Sequence, residues 1–455
     1  MEPIKILSAT GILGTGFKEE TFNYSLSLKP DVIGCDAGST DAGPHFLGAG
    51  VSYTSRQAVK RDLTIMLKGA INHNVPLLIG SVGNAGGDTH VDWTVDIVKE
   101  IAAEQNLSFK LSYIYSEVSQ EKVLEFFHGN KMRPLQNAPE MSEERIRNLT
   151  KIVGVMGPHP FIEALQNGAQ VVIAGRSSDT SIYAAVPILK GLDTGSTWHA
   201  AKILECGAAS VERRQHPDCH FAWVYPDHFI VEPPNPTMRC TPLSVVSHML
   251  YENTDPFHLY EPSGMLDASE AVYEPYGERG VKVSGSQYIH SDTYTIKLEG
   301  VRRVGYKKIS IAGIRDPIIL QQLPSYIESA AASIRRKVKE SVGLSEDQYL
   351  LNYRVYGESG VLGELEPNKG KIGHEVGLFF EVIAETSELA TAVMAIASHT
   401  ILHHPVKEYS GFISNTAYPF SPPSADMGAT YEFAINHIVE VEHPNELFRI
   451  HYVQI

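Results

Sequence analysis

Brief apolar runs, each closed by glycine or small polar residues, recur through the first 175 positions. Residues 4–7 end in Ser8-Ala9-Thr10-Gly11, residues 31–34 end in Cys35-Asp36-Ala37-Gly38, and the same shape returns at 76–80, 111–115, 152–155 and 171–174. Runs this short and this continuously apolar predict buried strands. Between them lie segments long enough for crossover helices, residues 55–73 and 91–105. In the first, Val59, Leu63, Met66, Leu67 and Ala70 recur at the spacing of one helical face. Strands alternating with helices predict an α/β fold with a doubly wound, mostly parallel sheet in the N-terminal half.

The pattern changes near residue 225. Tyr225-Pro226-Asp227 and then Glu232-Pro233-Pro234-Asn235-Pro236 cannot continue a regular ladder or helix, which places a boundary there. The chain therefore reads as a Rossmann-like α/β domain over 1–225 and an α+β domain over 226–455. In the second, longer alternating strands are expected at 287–298 and 349–356. Helices are expected at 324–342, with Ile327, Ala331, Ile334, Val338 and Val342 on one stripe, and at 387–402, with Leu389, Val393, Ile396 and Thr400 on the apolar side. A length of 455 residues agrees with two domains, since single cores stop growing near about 250–300 residues. No internal repeat has a solenoid or propeller period.

Charge narrows the partners. The formal net charge is −15, from 38 Lys and Arg against 53 Asp and Glu, which repels phosphate backbones and anionic lipid. Neither nucleic acid nor a membrane surface is expected as a partner. No apolar run approaches the roughly 18 residues of a spanning helix, and Met1-Glu2-Pro3-Ile4-Lys5 lacks a basic, then apolar, leader pattern. Four cysteines without a C-x-x-C pair form no disulfide framework, so a cytoplasmic setting is the expectation.

In an open α/β sheet, ligands bind beyond the carboxyl ends of the strands, and the polar residues of this chain concentrate there. After the first strand, Gly11-Ile12-Leu13-Gly14-Thr15-Gly16 can expose backbone N–H groups as an anion nest, although it is neither G-x-G-x-x-G nor a Walker loop. After the second, Asp36, Ser39, Thr40, Asp41 and His45 gather two carboxylates, two hydroxyls and an imidazole within ten residues. The two aspartates suit a hard cation, a substrate hydroxyl or a shared proton; ordinary Asx turns and a helix cap are the structural alternative. After the third, Asn84 can donate to an oxyanion and Asp88 with His90 can form an orienting pair, with Asp88 also a natural helix cap. His159 stands between two prolines after the fifth strand and can act as acid or base. After the sixth, Arg176 offers a guanidinium fork beside Ser177, Ser178 and Asp179, with an Arg176–Asp179 ion pair as the structural alternative.

Metal ligation through Asp36, Asp41, Asp88, His90 or His159 stays open, but no metalloprotease motif or cysteine pair fixes a spacing. His399 and His403, one turn apart near a helix end, need no ligand. The serine-hydrolase elbow G-x-S-x-G is absent.

Two further segments, Ala201-Lys202-Ile203-Leu204-Glu205-Cys206-Gly207-Ala208 and 241–252 with its Leu250-Tyr251-Glu252, together with Asp255-Pro256 and residues 262–267, resemble the acyclic terpene utilisation (AtuA-type) family. The resemblance spans roughly residues 30 to 270. The loop Gly34-Cys35-Asp36-Ala37-Gly38-Ser39-Thr40-Asp41 with Gly43-Pro44 looks like a branch distinct from the terpene-pathway proteins. The resemblance implies catabolism of branched acids as free carboxylates or acyl-CoA thioesters, and either an extra C-terminal α+β domain or a small companion protein; a homo-oligomer is the expectation, with a heteromer containing such a companion subunit as the alternative. By position, Cys206 is a candidate nucleophile or thiol acid with Glu205 beside it, or else a small buried hydrophobe.

These features favour a lyase or hydratase without a redox cofactor. Asp36 or Asp88 would be the base and His45, His90 or His159 the acid. Asn84 and Arg176 would grip a carboxylate. The rivals are a hydrolase using the same aspartates around a divalent metal, and a non-catalytic ligand-binding subunit.

Overall fold

The computed structural model describes residues 2–251, 253, 255–409 and 413–455. By their contacts these divide into two compact units, Met1–Arg302 with Phe433–Ile455, and Arg303–Glu432. The proline-rich stretch after Tyr225 lies inside the first unit, where Tyr225–Asp227 turns a hairpin between two antiparallel strands.

The strands of the first unit begin with β1 (Ile4–Ser8), β2 (Val32–Gly38), β3 (Leu77–Asn84), β4 (Lys110–Tyr115), β5 (Met132–Pro134), β6 (Lys151–Val155), β7 (Val171–Ala174), β8 (His220–Val224) and β9 (His228–Glu232). Its main sheet has ten strands and is mixed. The centre, in the order β1-β2-β3-β7-β4, is parallel. Antiparallel strands extend it on both sides: β8, β9, Gly280–Ser284 and Val272–Tyr276 beyond β1, and Arg449–Gln454 beyond β4.

The central strands read as uninterrupted apolar runs because both faces are covered. Alternate side chains point to opposite faces: Ile6, Val32, Leu78, Ile114 and Val172 join one core, while Leu7, Ile33, Ile79, Leu111 and Val171 join the other. The helix Arg56–His73 buries its predicted stripe in the second core. Ser55 caps its start by accepting from the Ala58 N–H at 3.3 Å, and Asn74, at φ 52°, ends it in the left-handed region.

One expected strand goes elsewhere. β6 is buried as its sequence demands, but it pairs antiparallel with residues 297–301 instead of joining the parallel centre. Its apolar face finds Ile296 and Phe448, which lie against Gly154. A hydrophobic run reports burial and cannot name its partner. The strand expected at 287–298 is likewise two strands, Gln287–His290 and Thr295–Ile314, separated by a short turn at 291–294.

In the second unit, Val376–Ala384 pairs with residues 306–314 on one side and with Tyr349–Tyr356 on the other. It buries every second residue, and Leu378, Phe380 and Val382 share a core with Ile327, Ile334 and Val338 of Leu323–Ser341 and Val393, Met394 and Ala397 of Ser387–His403. This is the α+β layer that the alternation and the two helical stripes predict. Among the described residues no helix is long and apolar enough to cross a membrane.

Candidate functional site

β7 ends in Gly175-Arg176-Ser177-Ser178, and the helix Asp179–Leu189 follows at once. Glycine is required where the neighbouring strands close in: a Cβ on Gly86 would stand 2.2 Å from the Arg176 nitrogen, and one on Gly38 2.8 Å from Arg176 Nη1. Ser81, at φ 52°, turns its hydroxyl into the same corner, where it accepts from the Ser177 N–H at 3.1 Å and from Arg176 Nη1 at 3.3 Å. The ends of β2, β3 and β7 thus meet around one guanidinium.

Arg176 is committed inside the protein. Its Nε donates to Glu299 Oε2 at 2.8 Å, while Asp179 Oδ1 stands at 3.9 Å from Nη1. Glu299 also receives Lys297 Nζ at 2.7 Å. Burial pushes the Glu299 carboxyl up, but the two cations overcome it and hold the group at about 2, permanently ionised. Asp36 lies buried behind them. Burial and the Asp179 charge raise its pKa well above the usual carboxylate range, against the opposing pull of Arg176.

A cavity of about 340 Å³ opens in front of this corner, lined among others by Arg176, Ser178, Asp179, Glu205, Glu261 and Lys297. Ser178 precedes the helix but does not cap it with its side chain. Its Oγ donates instead to Glu261 Oε2 at 2.6 Å, and the Thr180 hydroxyl donates to Oε1. Glu261 has only 8% of its surface exposed. Burial lifts its pKa to about 7, with Asp179 adding to the shift and the two hydroxyls opposing it. Two carboxyls of one cavity are therefore split by environment, Glu299 fixed as an anion and Glu261 poised to give or take a proton near neutrality.

The structure brings Asp36, Arg176, Ser177, Ser178 and Asp179 together and leaves the other sequence candidates apart. The glycine loop is a nest, but its anion is internal: the Gly14 and Gly16 N–H groups donate to Asp62 Oδ2 at 2.9 and 3.0 Å. Gly11 packs elsewhere, against the Cys206 backbone. Asn84 donates through Nδ2 to the Ser39 carbonyl at 3.0 Å, and its Oδ1 is buried without a partner. Thr40 and Asp41 lie on an exposed loop, where Ser39 Oγ accepts from the Asp41 N–H at 3.1 Å as an ordinary turn does, and His45 is the exposed first residue of the short helix His45–Ala49.

Asp88 and His90 do not form a pair. Asp88 binds Arg449 and accepts from the Glu117 N–H at 3.1 Å, and its own N–H donates to Glu117 at 2.9 Å. His90 caps its helix: Nδ1 accepts from the Gly87 N–H at 3.1 Å and Nε2 donates to the Val51 carbonyl at 2.9 Å. Burial lowers its pKa, so the ring is neutral with its proton on Nε2. His159 starts a helix and meets the Tyr294 hydroxyl at 3.2 Å.

Three cavity residues, Glu261, Lys297 and Glu299, were not among the sequence candidates. They stand on antiparallel strands, His258–Glu261 and Thr295–Ile314, where charged residues in alternation look like any solvated face. The only signal was Glu261 preceding Pro262, where a stretch singled out by resemblance begins. Glu205 and Cys206, singled out the same way, follow the helix Gly195–Leu204, and Glu205 reaches the cavity paired to Lys202. Glu252 lies outside the described residues.

No curated protein and no solved structure matches the chain. A family model does, over residues 54–212, and that segment holds Asp88, His90, His159, the whole run Arg176–Asp179, and Glu205 with Cys206. That model is described as acyclic terpene utilisation family protein AtuA, and the chain is similar to it over that segment, about a third of its length.

Proposed function

We propose that the protein is a catabolic enzyme, a lyase or hydratase, that moves a proton beside the carbonyl of a small branched carboxylic acid or its CoA thioester. The observation that carries this reading is the unequal pair of carboxyls, Glu261 and Glu299, on one cavity at the carboxyl end of the parallel centre of a mixed sheet. Proton abstraction next to a carbonyl needs a base whose pKa lies near the working pH, and Glu261 has one. Ser178 and Thr180 orient it through both oxygens. Lys297, 41% exposed at the side chain, supplies a cation for a substrate carboxylate. Glu299 keeps Arg176 and Lys297 in place as a fixed counter-charge.

Size supports a small acyl group. The volume, about 340 Å³, stands at the low end of the roughly 300–1,000 Å³ of small-molecule sites, so a CoA nucleotide would remain outside. The match to a family named for acyclic terpene utilisation supports a branched skeleton. The test is a panel of branched short-chain acids and their CoA thioesters incubated with the protein in D2O, with α-deuterium uptake followed by NMR. At least one member should exchange, and Glu261→Gln should slow it by about 10²–10⁴-fold with the fold intact. Exchange unaffected by Glu261→Gln would reject the assignment.

A further inference from the structure

Glu205 and Cys206 leave the helix Gly195–Leu204 just before a tight turn, and His248 stands in the last turn of Pro242–Met249. One donor atom from each of the three lies within 4.8 Å of the other two. The backbone there is clamped. Gly207 has φ 57° and ψ −139°, and a Cβ on it would stand 2.7 Å from the Gly11 nitrogen; a Cβ on Gly11 would stand 2.6 Å from the Cys206 carbonyl oxygen. Close glycine packing of this kind fixes the direction of the thiol. A second observation concerns the same imidazole: His248 is 6% exposed, and its Nε2 is buried without a hydrogen-bond partner. Buried polar groups are ordinarily partnered, so a nitrogen left so calls for something to bind it.

We propose that Glu205, Cys206 and His248 form a binding site for a divalent cation of the zinc class. Thiolate, imidazole and carboxylate are the donors that such an ion selects, and three protein ligands leave a fourth position open. Donors on a tetrahedral zinc stand about 3.5 Å apart, so the cluster closes by roughly an ångström on binding. Lys202 faces the site and holds Oε1 of Glu205, leaving the second carboxylate oxygen to ligate. The charges of Asp179 and Glu261 also reach Glu205 and offset that ammonium. Cys206 and His248 also line a second cavity, about 680 Å³, together with Ile12, Leu243, Arg214 and Tyr251. A water or an oxygen of an organic anion fits there, with Arg214 as its counter-charge.

This site does not rest on the proton-transfer reading, and its test needs no substrate. The full chain, freed of metal by a chelator, is titrated with Co2+ and followed by absorption. The expected result is one Co2+ per chain with a near-ultraviolet thiolate-to-cobalt band, displaced by Zn2+. Cys206→Ser should abolish the band, and His248→Gln should weaken binding at least about tenfold while circular dichroism shows the fold retained. Cys35, Cys219 and Cys240 are buried, and Cys206 is the partly exposed cysteine. Should Cys206→Ser fail to fold, the wild-type spectrum and His248→Gln decide. Absence of the band in the wild type, its survival in Cys206→Ser, or unchanged affinity in His248→Gln each overturns the site.

Discussion

The loop after β1 and the corner after β7 hold comparable inventories of polar groups beyond parallel strands of the same sheet, yet they put them to opposite use. After β1 the Gly14 and Gly16 N–H groups converge on a carboxylate, and that carboxylate is Asp62, fully buried and paired with Arg61 at 2.6 Å. The loop is complete without a ligand. After β7 the Ser178 and Thr180 hydroxyls also converge on a carboxylate, Glu261, but this one borders an open cavity and lies near neutrality in its titration. A donor set shows a binding site only when its acceptor is missing or able to change its charge.

Breaking the closed side should have the largest effect on the fold. Asp62→Ala removes the acceptor of two loop N–H groups and the partner of Arg61, and should lower stability by about 3–4 kcal/mol in chemical denaturation. Its effect on exchange chemistry should be slight wherever the variant is folded. A variant as stable as the wild type would mean that the loop awaits an external anion.

The open side should show itself in pH dependence. A carboxyl protonated up to about 7 when folded, but only to its ordinary 4.5 when unfolded, binds more protons in the native state between those values. Its contribution to stability is thus full below about pH 4.5, falls as pH rises, and is lost above about pH 7. Relative to Glu261→Gln, the wild type should lose about 3 kcal/mol across that window. Parallel stability curves for the two would place Glu261 in water, outside the cavity.

The smallest effect is expected at the exposed loop that looked richest in the sequence. Asp41→Asn should change stability by no more than about 0.5 kcal/mol and leave deuterium exchange as it was. A fall in exchange would extend the site to that loop and erase the contrast.

How much of this was legible follows from where each signal resides. Strand runs and helical stripes are local, and the central strands and the helix Arg56–His73 were readable for that reason. Arg176 and Ser178 were readable too, because a polar cluster closing an apolar run marks a strand end. Asp62 left a sign that went unused: it sits three residues after Val59 and four before Met66, on the apolar stripe, where a carboxylate requires a buried partner. Glu299 left none, and Glu261 only the Pro262 that follows it. They reach the cavity from strands 85 and 123 residues beyond Arg176, and only tertiary pairing such as that of β6 with residues 297–301 brings Glu299 there. Asp88 and His90 misled for a general reason: residues that cap helices also carry catalysis, and only their partners distinguish the two.

The most direct test is carboxyl NMR on protein labelled with 13C at glutamate Cδ, with the Glu261 resonance assigned by its disappearance in Glu261→Gln. The account predicts a titration midpoint at about 7, and a change in that resonance when isovalerate, a small branched acid, is added. A midpoint near 4.5, with no response to the acid, would contradict it.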